Sequence, residues 1–301
     1  MSFIAWVMDR VMAHMKTPVD KDGNHDYVKE RENKAKRVKK KIPDDLILIK
    51  INDDGVDGEF ITFKEGRNNG TVFYIHGGGF TTGSASEVRD VAFYIAQKYR
   101  YQVFMPNYRL SPENKWPAHL EDVHEAYRYT LRNLCGHKNI ILMGESAGGT
   151  LVFSLALYLK DRREHLPKAI VSFSPGTNNA EHYPSHTKNI KSDKMLKDMI
   201  SKGIMEPLFD HQPTKEELSN YYLSVIYGDY KDLPPIFIAV SSSETLYDDS
   251  VFLYEKLKKE NHNVMIDIKH HVCHAYTLFP FLREAKDTYK KCFEFISKIE
   301  N

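Results

Sequence analysis

Short apolar runs alternate along this chain with stretches whose apolar positions recur at helical spacing. The runs predict buried strands at 45–52, 59–64, 71–75, 102–106, 139–143, 168–174, 234–240 and 264–268. Helical spacing predicts helices over 86–99, 120–134, 147–159 and 250–259. Strands that alternate with helices indicate a mostly parallel sheet with helices on both faces. The predicted fold class is therefore α/β.

The alternation is interrupted in two places. Apolar residues at helical spacing over 3–15 predict an amphipathic N-terminal helix, and polar helical pieces bearing Tyr and Met fill 176–232. We therefore expect four segments: N-terminal helices over 1–44, a first core segment over 45–175, an insertion over 176–232 and a second core segment over 233–301.

Charge does not point to a polyanionic partner. The 301 residues include 42 Lys and Arg against 41 Asp and Glu, so the whole molecule has no general attraction to nucleic acid or to a membrane. The basic stretch 29–41 could contact nucleic acid, but aromatic residues do not interleave its charges. A solvated helix face is the favoured interpretation.

The cysteines and the N-terminus indicate a cytoplasmic protein. Cys135, Cys273 and Cys292 are an odd set at no disulfide-framework spacing, which favours a reducing compartment. The first 16 residues contain Asp9 and Arg10 and lack a long apolar run or a small-residue cleavage site. We therefore expect neither a signal peptide nor a membrane span there.

A serine stands at a predicted strand-to-helix corner. Gly144-Glu145-Ser146-Ala147-Gly148 follows the strand 139–143 and opens the next helix. Such a corner needs an unusual backbone conformation, so small residues are required at Gly144 and Gly148. The hydroxyl is then lifted clear of the sheet, and the Ala147 N–H can point at a substrate oxygen. Chance also produces this string, but the flanking strand and helix favour a nucleophile.

Three consecutive glycines follow another predicted strand. His76-Gly77-Gly78-Gly79 comes directly after 71–75, where a glycine run has no use in packing. Glycines let backbone N–H groups approach a ligand without interference from a Cβ atom. A plain flexible turn is the alternative, and the presence of both motifs in this order disfavours it. Together the two motifs predict a serine hydrolase.

These motifs, with YRLSPE at 108–113 and WPA at 116–118, resemble those of the hormone-sensitive-lipase-like group of α/β-hydrolases. Its members are mostly bacterial carboxylesterases and acetyl esterases, and the resemblance extends over residues 70–295. It implies an α/β-hydrolase fold and a helical cap formed by the N-terminal helix and the 176–232 insertion. It also implies that the amides of Gly77, Gly78 and Ala147 form the oxyanion hole. His76 and Gly79 are implied to be supporting residues. The 108–113 segment is expected to be architectural, with Arg109 pairing with Glu113 and Asp122.

The acid of the triad must lie between the serine and the histidine, because α/β-hydrolases have that chain order. Relatives carry an acid, usually aspartate, where Glu244 follows the strand 234–240, and glutamate is an accepted variant. Asp248 is the alternative. Asp248 and Asp249 also fit the start of the helix 250–259, where carboxylates cap and complement the dipole.

Three histidines crowd the last predicted strand end. His270, His271 and His274 lie near Cys273, but their spacing fits no common metal site. His270 alternates with Ile266 and Ile268 along the strand, which favours a structural or surface role. The resemblance places the catalytic base just before an aromatic residue and a Leu-Phe-Pro segment, so His274 is the predicted base.

The expected activity is hydrolysis of short-acyl-chain esters through an acyl-enzyme, with Ser146, His274 and Glu244 as the triad. No cofactor or metal is expected. The expected partners are a small ester and water, with no nucleic acid and no membrane, and a homodimer is compatible with the sequence. An amidase or peptidase would use the same triad, although peptidase relatives carry a large extra domain. A non-catalytic ligand receptor, as in plant hormone receptors of this fold, would lack the histidine.

Overall fold

The computed structural model describes residues 18–19, 21, 25–37, 41–135, 139–196 and 205–299. The predicted helix over 3–15 lies outside these ranges. Within them, one sheet has the strands β1 (Leu46–Asp53), β2 (Val56–Phe63), β3 (Thr71–Ile75), β4 (Gln102–Asn107), β5 (Ile140–Glu145), β6 (Ala169–Phe173), β7 (Ile236–Ser241) and β8 (Val264–Lys269). Their order across the sheet is β1-β2-β4-β3-β5-β6-β7-β8.

The sheet is mostly parallel. β1 pairs with β2, and β2 with β4, in antiparallel fashion, and every pairing from β4 to β8 is parallel. All residues of the central strands β3, β5 and β6 are buried. Strands covered on both faces need apolar side chains on both sides, which explains their continuous apolar runs. The predicted fold class is confirmed.

The described helices are α1 (Tyr27–Arg37), α2 (Arg89–Tyr99), α3 (Ala118–Tyr129), α4 (Ala147–Asp161), α5 (Pro184–Lys188), α6 (Lys215–Leu218), α7 (Tyr247–Lys259) and α8 (Arg283–Ser297). The helix predicted over 86–99 is divided into a short 3₁₀ turn, Ala85–Val88, and α2. The helix predicted over 120–134 ends in a wider π turn over Thr130–Leu134.

Two large apolar cores lie on opposite faces of the sheet, and β3 contributes to both. Val72 and Tyr74 belong to the core that contains buried residues of α2 and α8. Phe73 and Ile75 belong to the core that contains buried residues of α3, α4 and α7. Successive strand residues point to opposite faces, so a single strand contributes to both cores.

In the described part of the connection between β6 and β7, which omits residues 197–204, the helical pieces are short: α5, Glu206–Leu208, α6 and Val225–Tyr227. The central part of the piece predicted over 193–209 lies outside the described residues. The piece predicted over 215–225 is not a continuous helix, since α6 ends at Leu218. Asp249, at the start of α7, fixes the beginning of this connection. Its Oδ1 accepts the Thr177 N–H at 2.7 Å, and its Oδ2 lies 2.6 Å from Nε2 of His186.

The parallel strands from β3 to β8 present their carboxyl ends at one edge of the sheet. In open α/β sheets this is the edge where ligands bind. The loops that follow β3, β5, β6, β7 and β8 all begin there. Among the helices that the structure describes, none is long and apolar enough to cross a membrane.

Candidate active site

Ser146 occupies a sharp turn between β5 and α4. Its backbone has φ 55° and ψ −125°, which a residue other than glycine rarely adopts. The approach of α4 to the end of β3 makes a glycine necessary at position 148. A Cβ atom added to Gly148 would lie 2.1 Å from the carbonyl oxygen of Ile75. This turn holds the Ser146 hydroxyl at the carboxyl edge of the sheet.

The structure brings Ser146, His274 and Glu244 together. Nε2 of His274, in the loop after β8, lies 2.9 Å from the hydroxyl oxygen of Ser146. Nδ1 of His274 lies 3.5 Å from Oε1 of Glu244, which follows β7 and is fully buried. The distance between Nδ1 of His274 and Oε1 of Glu244 is longer than an ideal charged hydrogen bond. Catalytic contacts are often this long when no substrate is bound. A hydroxyl, an imidazole and a carboxylate thus form one chain of contacts.

A further serine supports this arrangement. The Ser174 hydroxyl, just after β6, donates to Oε2 of Glu244 at 2.9 Å. The same hydroxyl oxygen accepts the backbone N–H of Ala275 at 3.2 Å, next to His274. Ser174 therefore ties the acid to the loop of the base. No motif in the sequence singles out Ser174, and its place at the end of a predicted buried strand is the available signal.

Electrostatics favour a protonatable imidazole beside the serine. Burial by itself lowers the pKa of His274, but the neighbouring Glu244 carboxylate outweighs burial and raises that pKa above its usual value. The same carboxylate would stabilise the imidazolium that forms when the ring takes up a proton. The pair can therefore withdraw a proton from Ser146 and hold it.

The other candidate acids and bases lie apart from Ser146. Asp248 accepts the backbone N–H of Ser185 at 2.7 Å, in the first turn of α7. His270 is exposed, with Nδ1 2.9 Å from the hydroxyl of Ser242, and His271 is exposed as well. Across the described ranges, no group of three or more His, Cys, Asp or Glu side chains is arranged to hold a metal ion.

The glycine loop after β3 uses the amide of Gly77 differently from its prediction. The Gly77 N–H donates to Oε1 of the buried Glu145 at 2.6 Å, so it is not available to a substrate oxygen. Gly77 is therefore corrected from an oxyanion donor to a residue that anchors the loop. The N–H groups of Gly78, Gly79 and Ala147, by contrast, have no acceptor among the described residues.

The loop turns tightly at Gly78, whose φ is +110°. The Gly78 carbonyl accepts the backbone N–H groups of Thr81 at 3.1 Å and Thr82 at 3.0 Å. A Cβ atom at Gly78 would lie 2.2 Å from the Thr82 carbonyl oxygen. Only glycine combines this φ with so close an approach.

His76 contacts the glycine loop itself, and its ring makes no hydrogen bond to Ser146 among the described residues. Its Nδ1 is 2.8 Å from the Gly77 carbonyl oxygen, and its ring stacks on Tyr108 with centroids 4.3 Å apart. The Tyr108 hydroxyl donates to the His76 carbonyl oxygen at 2.9 Å. Burial lowers the pKa of His76 to about 4, so the ring is neutral and donates from Nδ1.

An arginine of α1 fastens this helix to the same region. Nε of Arg31 donates to the Thr81 carbonyl oxygen at 2.7 Å, and its guanidinium also pairs with Glu113 at 2.9 Å. The expected Arg109–Glu113 pair is therefore wrong, because Glu113 is held by Arg31. Arg109 instead pairs with Asp122 at 2.7 Å, as expected, and with Glu121.

Two cavities meet at Ser146 and Gly79. The Ala147-side cavity has a volume of about 240 Å³ and is lined by Phe80, Asn178, His182, Leu196, Met205 and Leu218, among others. The His274-side cavity has a volume of about 430 Å³ and extends toward α1, past Glu30, Lys34, Glu87 and Met195. The serine hydroxyl is thus accessible from two sides.

Comparison with known proteins agrees with this geometry. A family model described as alpha/beta hydrolase fold matches residues 72–278. An esterase of Acinetobacter venetianus is 28% identical over 249 residues, which cover 82% of this chain and 80% of that esterase. An acetyl-hydrolase of Streptomyces hygroscopicus is 30% identical over 219 residues, covering 72% and 71%. The crystal structure of an esterase from the bacterial hormone-sensitive lipase family superposes with a TM-score of 0.85 at 27% identity, covering 98% and 97%.

Proposed function

The chain belongs to the family with the alpha/beta hydrolase fold and is a carboxylic ester hydrolase, and we propose that it works by acyl transfer through Ser146. The resemblance of its motifs to the hormone-sensitive-lipase-like group is confirmed by these relatives. The observation that carries the proposal is the 2.9 Å contact between the Ser146 hydroxyl and Nε2 of His274 at the turn after β5.

In the first half-reaction the Ser146 oxygen attacks the ester carbonyl carbon while Nε2 of His274 takes its proton. The tetrahedral intermediate collapses to an acyl-serine, and His274 returns the proton to the leaving alcohol oxygen. Glu244 fixes the ring orientation and stabilises the imidazolium. In the second half-reaction His274 takes a proton from water, whose oxygen attacks the acyl-serine. The tetrahedral intermediate then collapses, His274 returns the proton to the Ser146 oxygen, and the acid is released.

The amides of Gly78, Gly79 and Ala147 are the donors that we assign to the negative oxygen of the intermediate. Gly79, expected from the sequence to be a supporting residue, thus takes the place of Gly77. Two observations support this choice: these amides have no acceptor among the described residues, and Gly79 lines both cavities next to Ser146. Preorganised donors of this kind each contribute on the order of 10²–10³-fold to kcat.

The path of the proton indicates which part of the ester belongs in each cavity. The leaving oxygen must reach His274, so the alcohol part of the ester belongs in the His274-side cavity. The acyl chain then lies in the Ala147-side cavity. Its volume of about 240 Å³ is below the roughly 300–1,000 Å³ of pockets for drug-sized ligands, which supports a short acyl chain.

Residues 1–44 and 176–232 are the segments that we assign to a cap, over a core formed by 45–175 and 233–301. Support comes from Arg31, which bonds α1 to the glycine loop, and from Met205 and Leu218, which line the acyl cavity. A cap keeps bulk water away from the acyl-serine until deacylation.

Matched esters and amides test the proposal. The parent protein is expected to hydrolyse p-nitrophenyl acetate and butyrate with a burst of one nitrophenol per active site when deacylation is slower than acylation. It should hydrolyse the corresponding p-nitroanilides far more slowly, and Ser146→Ala should hydrolyse neither substrate. Faster turnover of the anilides would identify an amidase, and no turnover of any ester would overturn the proposal.

A further inference from the structure

Glu145, the residue before the nucleophile, is a buried acid that the mechanism above does not use. Its side chain is 2% exposed, and Oε1 accepts the Gly77 N–H at 2.6 Å. The contact spans from the end of β5 to the loop after β3. It therefore joins the turn that carries the nucleophile to the loop that carries the proposed oxyanion donors.

The surroundings of Glu145 provide no cation to balance a negative charge. No salt bridge within the described residues includes it. The titratable groups that face it are Tyr74 on β3, Tyr108 after β4, Tyr289 on α8 and His274 after β8. The tyrosines are buried hydroxyls, and His274 is already paired with Glu244.

The surroundings of the second carboxyl oxygen of Glu145 are consistent with a protonated acid. Oε2 of Glu145 and the hydroxyl of Tyr74 are both buried and without a hydrogen-bond partner among the described residues. A buried carboxylate oxygen left in this state is costly. The neighbouring Tyr74 hydroxyl offsets part of that cost by donating to an ionised Oε2, and burial outweighs this contribution. Once Oε2 is protonated, its O–H can donate to the Tyr74 oxygen instead. Burial raises the pKa of Glu145 to about 8, in agreement with the geometry.

We propose that Glu145 is a positioning residue that holds the oxyanion loop in place as an uncharged acid. By accepting the Gly77 N–H it fixes the peptide that leads into Gly78 and Gly79, so that the next two amides stay directed at the reacting oxygen. Loss of its proton would place an unpaired negative charge beside the site where the oxyanion develops. That charge would oppose the transition state more than the bound substrate, so kcat would fall and KM would change little.

This inference rests on the proposed ester hydrolysis, and three variants test it. Glu145→Ala removes the acceptor and is expected to lower kcat on the order of 10²-fold, because a small misplacement of catalytic groups has effects of that size. Glu145→Gln keeps an acceptor oxygen of the same reach and should recover most of that loss. Glu145→Asp is one methylene shorter, so it should not recover it.

The pH profile separates positioning from a merely structural role. The kcat of the parent should decline on the alkaline side with an apparent pKa near the value of about 8 for Glu145. In Glu145→Gln, which cannot ionise, this decline should be absent up to the pH at which the fold itself fails. Glu164→Gln is the matched control: Glu164 is paired with His124 at 2.9 Å, on a different part of the molecule, and its variant should keep the parent profile.

Two results would overturn the inference. One is equal loss of kcat in Glu145→Gln and Glu145→Ala, and the other is an alkaline decline that persists unchanged in Glu145→Gln. If Glu145→Ala does not fold, the comparison of Glu145→Gln with Glu145→Asp still decides. If the parent protein hydrolyses esters and either of these two results is found, only the role of Glu145 is refuted. A parent protein without esterase activity refutes the proposed function instead.

Discussion

The size of the acyl cavity predicts a sharp dependence of kcat/KM on acyl chain length. Each methylene buried in an apolar pocket contributes about 0.8 kcal/mol. At about 1.36 kcal/mol per factor of ten, this corresponds to about a fourfold gain in kcat/KM per carbon. Two methylenes, from acetyl to butyryl, would therefore give about a 15-fold gain if both are buried.

The gain must end where the cavity ends. The Ala147-side cavity has a volume of about 240 Å³ and is lined by Phe80, Met205 and Leu218, among others, so chains that outgrow it must displace such side chains or stay in water. We expect kcat/KM to peak at acyl groups of about two to four carbons and then fall, since no further burial is gained.

The assay is a series of p-nitrophenyl esters from acetate to decanoate, with Ser146→Ala as the blank. Met205→Ala enlarges the acyl cavity and should move the optimum to longer chains. Met195→Ala is the matched control, because Met195 lines only the His274-side cavity and should leave the acyl optimum in place. A continuous rise through decanoate in the parent, or a preference for long-chain triglycerides at an oil–water interface, would refute this reasoning.

Three further predictions concern single residues. His274→Ala and Glu244→Gln should each lower kcat on the order of 10⁴-fold. Asp248→Asn and His270→Ala should leave kcat within severalfold of the parent value. If Asp248→Asn lowers kcat as much as Glu244→Gln does, at an unchanged melting temperature, Asp248 is the acid. Gly148→Ala should prevent stable folding, as seen by circular dichroism, because its Cβ would lie 2.1 Å from the Ile75 carbonyl oxygen and 2.5 Å from that of His76; a soluble, active variant would contradict the close approach. The pKa of Glu145 is raised from 4.5 to about 8 by burial, so the folded state holds its proton more tightly and loses stability as pH rises between these values. The melting temperature of Glu145→Gln relative to the parent should therefore increase from pH 5 to pH 8, and a constant difference would show that Glu145 ionises normally.

The strands and the turn of the nucleophile could be predicted from the sequence because their causes are local. The buried runs around β3, β5 and β7 are apolar on both faces, and Gly148 is required by one backbone approach. Since the loops at a common sheet edge carry the chemistry, the loops after β5 and β7 could be placed near each other from the strand pattern. The choice of Glu244 within the second loop depended on the resemblance to the hormone-sensitive-lipase-like group.

Contacts between distant segments could not be predicted in the same way. The Gly77 amide is occupied because the Glu145 side chain turns toward it, and Glu113 pairs with Arg31 because α1 packs over the loop. Neither contact leaves a periodic or composition signal in the sequence. The beginning of the insertion is likewise held by distant contacts, since the N–H groups of Thr177 and Asn178 donate to the Asp249 side chain.

The most direct test of the central claim is covalent labelling by a p-nitrophenyl alkylphosphonate, followed by peptide mass mapping. The phosphorus should form its bond with the Ser146 oxygen as nitrophenolate leaves, giving one label per chain and complete loss of esterase activity. Ser146→Ala should fold normally, take up no label and have a kcat lower by on the order of 10⁵–10⁶-fold. A label on any other residue, or substantial turnover by Ser146→Ala, would contradict the assignment of Ser146 as the nucleophile.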